Sequence, residues 1–265
     1  MKWKTQLAPD SYRYLAAGQG QRTYRPFNRR VLLPWLCGSD ERRWWLVSYS
    51  ALVSLPVLMA VYVLQNGVSL QAAAFAALLI ALLPSVLFWL KTPVLTDQFG
   101  IATALFAAVL PWPWNLIVCT VGAFGRETVP IFAAIYSWDP VLLVGLIPIG
   151  VWSLIAPVGK DQMKREAWLD HPFQTSWSFK KDRLRDIQLW VTPWGAALAG
   201  LFFPSAQLVT AMFVAYTQTI IATDAVRLYV WAAPVLILQA CHVDAAWMVP
   251  LVMFHWTNPW RGEGT

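Results

Sequence analysis

WWLVSYSALVSLPVLMAVYVL, residues Trp44–Leu64, decides the fold class. The stretch holds no charge, and as a helix at 1.5 Å per residue it covers roughly 30 Å, the hydrocarbon thickness of a bilayer. Its apolar residues do not alternate with polar ones, as a barrel strand would require. Gln65-Asn-Gly67 follows, a strong turn signal. A second uncharged run, Leu70–Leu90, comes next, so the pair predicts a helical hairpin. Hydrophobic residues make up 58% of the chain and charged residues 13%, where a soluble domain carries roughly 25% charged. Seventeen Trp fit aromatic belts at headgroup level. The expected class is all-α, a polytopic integral membrane helical bundle of about 7–8 spans.

Upstream, residues 1–43 hold nine Lys/Arg against three acids. Tyr12, Tyr14, Leu15, Tyr24, Phe27, Val31, Leu32, Leu33 and Trp35 are interleaved with those charges, a pattern that predicts an amphipathic basic segment lying on a membrane surface. The polar start has no apolar central region, so no cleavable signal peptide is expected. Downstream, Pro93 breaks helix continuation between Lys91 and Asp97. From Phe99 to Pro157 the chain is apolar but interrupted at Pro111-Trp-Pro113, Arg126-Glu127 and Asp139-Pro140, which predicts two long or three shorter membrane helices. A second polar block, 160–186, carries seven basic and five acidic residues. The two blocks hold 16 of the 20 Lys/Arg, and the positive-inside rule puts both in the cytoplasm. An even number of spans must then separate them. Residues 187–203, 205–223 and 245–256 read as further spans and 257–265 as a tail. The organisation expected is therefore 1–43, a bundle over 44–256 with a polar loop at 160–186, and the tail, in a multi-pass protein of a cell inner membrane.

The net charge of +6 orients such a protein or meets anionic lipid; it does not signal nucleic acid. Cys37, Cys119 and Cys241 lack the spacing of a disulfide framework or zinc site. His171, His242 and His255 are scattered, and neither a metal nor a cofactor is expected.

Gly122-Ala-Phe-Gly-Arg-Glu-Thr-Val-Pro130 is the candidate site. A central charge costs roughly 2.5 to 3.5 kcal/mol in a span, and the nine Leu, Ile, Val and Phe between Pro113 and Trp138 return roughly 3 to 5 kcal/mol together. Two charges are not covered, so Arg126 and Glu127 face an interface, a polar cavity or a partner. As sequence neighbours they point about 100° apart on a helix and need separate partners. Glu127 suits an acid/base or cation-ligand role and Arg126 an anion clamp; a structural polar cluster or a helix end is the plainer alternative. Asp224 and Arg227, spaced i,i+3, share a helical face and either cap a helix or pair with Glu127 and Arg126. Asp97 stands at the entry of a span, as a cap or a site acid.

Asp10-Ser-Tyr-Arg-Tyr-Leu-Ala-Ala-Gly18 and Pro26-Phe-Asn-Arg-Arg-Val-Leu-Leu-Pro34, together with Gly125-Arg-Glu-Thr128, resemble elements of GT-C-type membrane glycosyltransferases and their uncharacterised relatives. There an acid precedes a Tyr and small residues in the first outer loop. The resemblance implies a lipid-phosphate-linked sugar as donor, a polyprenyl-phosphate sugar in particular. It also implies Asp10 as catalytic base, with Arg126 and Glu127 lining the site. The candidate residues are then Asp10 and Glu127 as catalytic, and Arg126, Arg227, Asp224 and Asp97 as substrate-binding. Two other readings stand beside the enzyme. One is a non-enzymatic membrane scaffold or subunit, with lipids and membrane proteins as partners. The other is a small transporter coupling protons through Glu127, for which no inverted repeat is visible.

Overall fold

A computed structural model describes residues 9–23, 27–157, 192–218 and 229–256. They are all-helical, with no strand among them. Two compact units share the chain, Met1–Leu58 with Trp89–Met163, and Met59–Phe88 with Lys164–Thr265.

The first unit opens with α1 (Pro9–Gly18) and α2 (Leu32–Cys37) and takes α3 (Glu41–Gln65) as far as Leu58; the rest of α3 and the chain to Phe88 belong to the second unit. At 25 residues, α3 is long and apolar enough to cross a membrane. Leu46, Val53, Val57, Val61 and Leu64 lie along it at steps of seven, four, four and three, one helical face, and all are exposed. Gly67, with φ +77°, makes the turn that the Asn-Gly dipeptide predicts. The return limb is α4 (Leu70–Ala81) and α5 (Pro84–Lys91), bent by 49° at the break before Pro84. Pro84 removes the backbone donor at the break.

Segment 94–157 departs from expectation, and segment 1–43 is divided: Tyr14, Phe27 and Leu33 are buried, while Tyr12, Trp35 and Leu36 are exposed. Tyr14, Phe27, Leu33 and Cys37 pack with Trp44 and Val94 into one buried cluster, and Ser11 donates to the Val94 carbonyl at 2.8 Å. Aromatic rings this large bury more apolar surface in a protein core than flat on a headgroup layer. A close approach fixes α1: a Cβ on Gly18 would collide with the backbone of Gly38. Gly18→Ala is therefore expected to destabilise the protein by about 1–3 kcal/mol, read as a lower thermal midpoint in detergent, while Gly20→Ala, in open space, carries only the strain of its left-handed backbone.

Between Asp97 and Pro157 there are four helices, not two or three: α6 (Asp97–Val109), α7 (Trp114–Ala123), α8 (Val129–Ser137), and a 3-10 turn, Pro140–Gly145, leading into α9 (Leu146–Ile155). The breaks fall at the three predicted interruptions. Each break ends a helix too short to cover 30 Å at 1.5 Å per residue. The path runs out and back twice. Arg126, in the α7–α8 turn, reaches Asp97 at the start of α6, and the Pro157 carbonyl after α9 accepts from Asn28 Nδ2 at 3.3 Å.

In the second unit, the described residues 187–203 form a kinked 3-10 segment, Thr192–Phe202, with Gly195 at φ 48°. Helices α10 (Ala206–Thr217), α11 (Ala233–Ala240) and α12 (Ala245–Trp256) follow. Gly200 lies against the Leu236 carbonyl of α11. His255 is 2% exposed; its Nδ1 accepts from the Ala196 amide at 3.0 Å, and its Nε2 lies 3.1 Å from the Leu79 carbonyl. That arrangement requires the neutral ring protonated on Nε2. Cys37, Cys119 and Cys241 are free and buried.

Candidate functional site

The turn Phe124–Thr128 is tight because glycine permits it. A Cβ on Gly125 would strike the Phe99 ring of α6, and one on Gly122 would strike Thr103 and Val129. Without those side chains the turn presses against the first turns of α6. Leu32 N donates to the Phe124 carbonyl at 3.1 Å, which lays the segment before α2 on the other side of the turn. Arg126 and Glu127 thus diverge between two walls, each toward a different partner.

Arg126 turns to α6. Its Nη2 is 2.9 Å from Asp97 Oδ1, with the two side chains 7% and 0% exposed. Asp97 occupies the first turn of α6, where the positive end of the helix dipole favours a carboxylate. The neighbouring Gln98 Nε2 donates to Ser48 Oγ at 2.9 Å and to the Pro93 carbonyl at 3.1 Å. Ser48 Oγ also donates to the Pro93 carbonyl.

Glu127 turns to Arg30, which meets it with both arms: Nε to Oε2 at 2.8 Å and Nη2 to Oε1 at 2.5 Å. A fork-on-carboxylate pair of this kind is the strongest ion-pair geometry that proteins use. The third nitrogen, Nη1, donates to the Tyr14 hydroxyl at 2.6 Å, and that hydroxyl is 3.1 Å from Thr96 Oγ1. Burial alone would raise the Glu127 carboxyl, but the Arg30 charge, its hydrogen bonds and the Arg126 charge outweigh burial and hold it at about 2. A carboxylate so held is ionised throughout the physiological range and is a weak proton acceptor.

Asp10 pairs within α1, with Arg13 Nη1 at 2.7 Å, and both side chains keep contact with solvent at 26% and 35% exposure. The Arg13 guanidinium lies 5.2 Å from the Phe27 ring centroid and that of Arg30 5.9 Å. The Tyr14 ring meets Phe27 edge-on at 5.1 Å and Trp44 at 5.8 Å. Asp10 and Glu127 therefore belong to one connected cluster, with two arginines and Phe27 between them. The cluster also touches α3 near its beginning, at Trp44 and Ser48.

Of the expected site residues, Asp10, Asp97, Arg126 and Glu127 fall in or beside this cluster. Asp224 and Arg227 lie outside the described residues, and with them the expected pairing to Arg126 and Glu127. Sequence reasoning missed Arg30 and Tyr14 as members. No signal in the sequence separates Arg30 from its neighbour Arg29, which stands between the same two prolines, Pro26 and Pro34. Comparison of the chain with known protein families, curated proteins and solved structures gives no match.

Proposed function

We propose that this chain is a multi-pass membrane protein acting as a non-enzymatic scaffold or subunit, whose paired charges clamp helix ends together. The observation that carries this reading is the commitment of every acid in the cluster to an arginine: Glu127 to Arg30, Asp97 to Arg126 and Asp10 to Arg13. Such pairing leaves neither a poised base nor a proton carrier at Glu127, which also weighs against the transporter. Membrane insertion is supported by the exposed stripe of α3, since soluble monomers rarely leave contiguous apolar surface of that extent bare. Further exposed aromatic residues at helix ends, Trp112, Trp114 and Trp138, suit headgroup level.

On this reading α3 and the bent α4–α5 limb are two crossings, and the short helices α6 to α9 are two re-entrant pairs that return to the side from which they start, so an even count leaves both basic blocks on one side. The ion-pair cluster, level with the first turns of α3, then lies near one membrane interface and not at the midplane, which lowers its insertion cost. Single-cysteine labelling of residues before α1 and within 160–186 in sealed inverted vesicles tests this. Both positions should react from the same side; opposite sides would require an odd count and a different path.

A second reading keeps the resemblance to GT-C glycosyltransferases, with a polyprenyl-phosphate sugar held by Arg126 and Asp10 as the base. It is favoured by the partial exposure of Asp10 beside Arg13 and Phe27. On the scaffold reading, Asp10→Asn leaves cellular function and protein level unchanged within error. A loss of sugar transfer to a lipid acceptor of 100-fold or more, on the scale of a removed general base, would favour the enzyme.

A further inference from the structure

We infer that the end of the first unit built from α1, α2 and the first turn of α3 is a docking surface for anionic lipid headgroups, an inference that rests on the membrane reading above. The charge distribution singles it out. Residues 1–43 carry an excess of six positive charges, equal to the net +6 of the entire chain. The structure then separates the cations by use. Arg30 and Arg13 are committed to Glu127 and Asp10. Arg22, Arg42 and Arg43 are exposed. Arg22 and Arg42 make no ion pair among the described residues, and Arg43 reaches Asp40 only at 3.6 Å with both side chains open to solvent, a weak contact.

Gly18 lies against Gly38, so the end of α1 meets the chain just ahead of α3, and Arg42 and Arg43 stand in the first turn of α3. Apolar side chains of α1 and α2 are exposed among the described residues as well: Tyr12 is 61% exposed, Trp35 79% and Leu36 45%. Cations for phosphate, with aromatic and aliphatic anchors between them, are the chemistry of a lipid interface. Height agrees as well. Arg42 and Arg43 immediately precede Trp44, where the apolar length of α3 begins, so when α3 crosses the bilayer they stand at the headgroups. The surface and the buried clamp are separate devices on one scaffold, since the first uses the arginines that the second leaves exposed.

The full chain, reconstituted in nanodiscs of phosphatidylcholine with or without phosphatidylglycerol, tests this. A polarity-sensitive fluorophore on Leu36→Cys, in a Cys37→Ala background, reports contact with the lipid. The expected result is a blue shift and a higher thermal midpoint with phosphatidylglycerol, both weakened by high salt. Both should fall by more than half in the Arg22→Gln/Arg42→Gln/Arg43→Gln variant. Equal responses to the two lipids, or a response unchanged by salt and by the triple substitution, would overturn the inference while leaving membrane insertion intact. Failure of the wild-type chain to enter nanodiscs of either composition would instead remove the membrane reading and this surface with it. Because the three arginines are exposed, the triple variant should retain the wild-type midpoint in neutral discs, and a collapse there would show that they belong to the fold and not to a lipid surface.

Discussion

Arg126→Ala is expected to cost roughly 3 to 5 kcal/mol, the range for removing one partner of a buried pair. Asp97 is fully buried, so without Arg126 it must either keep an uncompensated charge away from water or take up a proton. The helix dipole of α6 offsets only a small part, of the order of 0.3–1 kcal/mol at an ordinary helix start. Arg126→Lys should recover some of the loss, because a point charge can still reach Asp97, but not all of it, because the planar guanidinium is gone. Arg126→Ala/Asp97→Asn should be more stable than Arg126→Ala alone, since it removes the orphaned charge. Thermal midpoints of the purified variants in one detergent, or the fraction recovered folded from membranes, check the series. A drop in Arg126→Ala no larger than that of an exposed control such as Arg42→Ala would contradict it.

Arg30→Met should produce the second large loss, about 3 kcal/mol and at the low end of the range for broken buried pairs. Arg30 is buried, but the Glu127 side chain keeps 34% exposure and can turn toward water when its partner is lost. The loss spreads beyond one bond, since the same guanidinium holds the Tyr14 hydroxyl and lies over Phe27. The pH dependence follows from the lowered Glu127 carboxyl. A group with a depressed folded value contributes stability above its unfolded value and loses it as pH falls. The contribution is complete above the ordinary carboxylate value of about 4.3 and is lost as pH falls through about 2. Wild-type and Glu127→Gln protein should thus differ in stability at neutral pH and converge toward pH 2. Parallel curves over that range would mean that Glu127 does not depend on Arg30.

Several parts of this architecture were legible in the chain because their causes are local. Asn66-Gly67 dictates a turn whatever surrounds it, and Pro111, Pro113, Pro130 and Pro140 cannot sit in helix interiors without cost, so the breaks between α6, α7, α8 and α9 lie where those residues and the charged pair stand. The number of helices is less local, because composition alone does not say whether a break bends a span or reverses it; at the α7–α8 break, Gly122 and Gly125 let the turn close onto α6. The divergence of Arg126 and Glu127 also follows from local geometry. Their partners do not. Arg30 lies 97 residues from Glu127 in sequence, and nothing in the composition of 1–43 distinguishes the arginine that is buried from those that face outward. The burial of Tyr14 and Phe27 was hidden likewise, since an amphipathic pattern reads the same against lipid as against protein.

The central claim is that the cluster around Glu127 is a structural clamp and not a reaction site. A double-mutant cycle over Arg30→Met and Glu127→Gln, read as unfolding free energy in a fixed detergent, tests it most directly. The clamp predicts that each single variant is destabilised and that the double variant recovers part of the sum, with a coupling of about 1.5 kcal/mol or more, within the range for contacting charged residues. Additive effects, or single variants as stable as wild type, would contradict it.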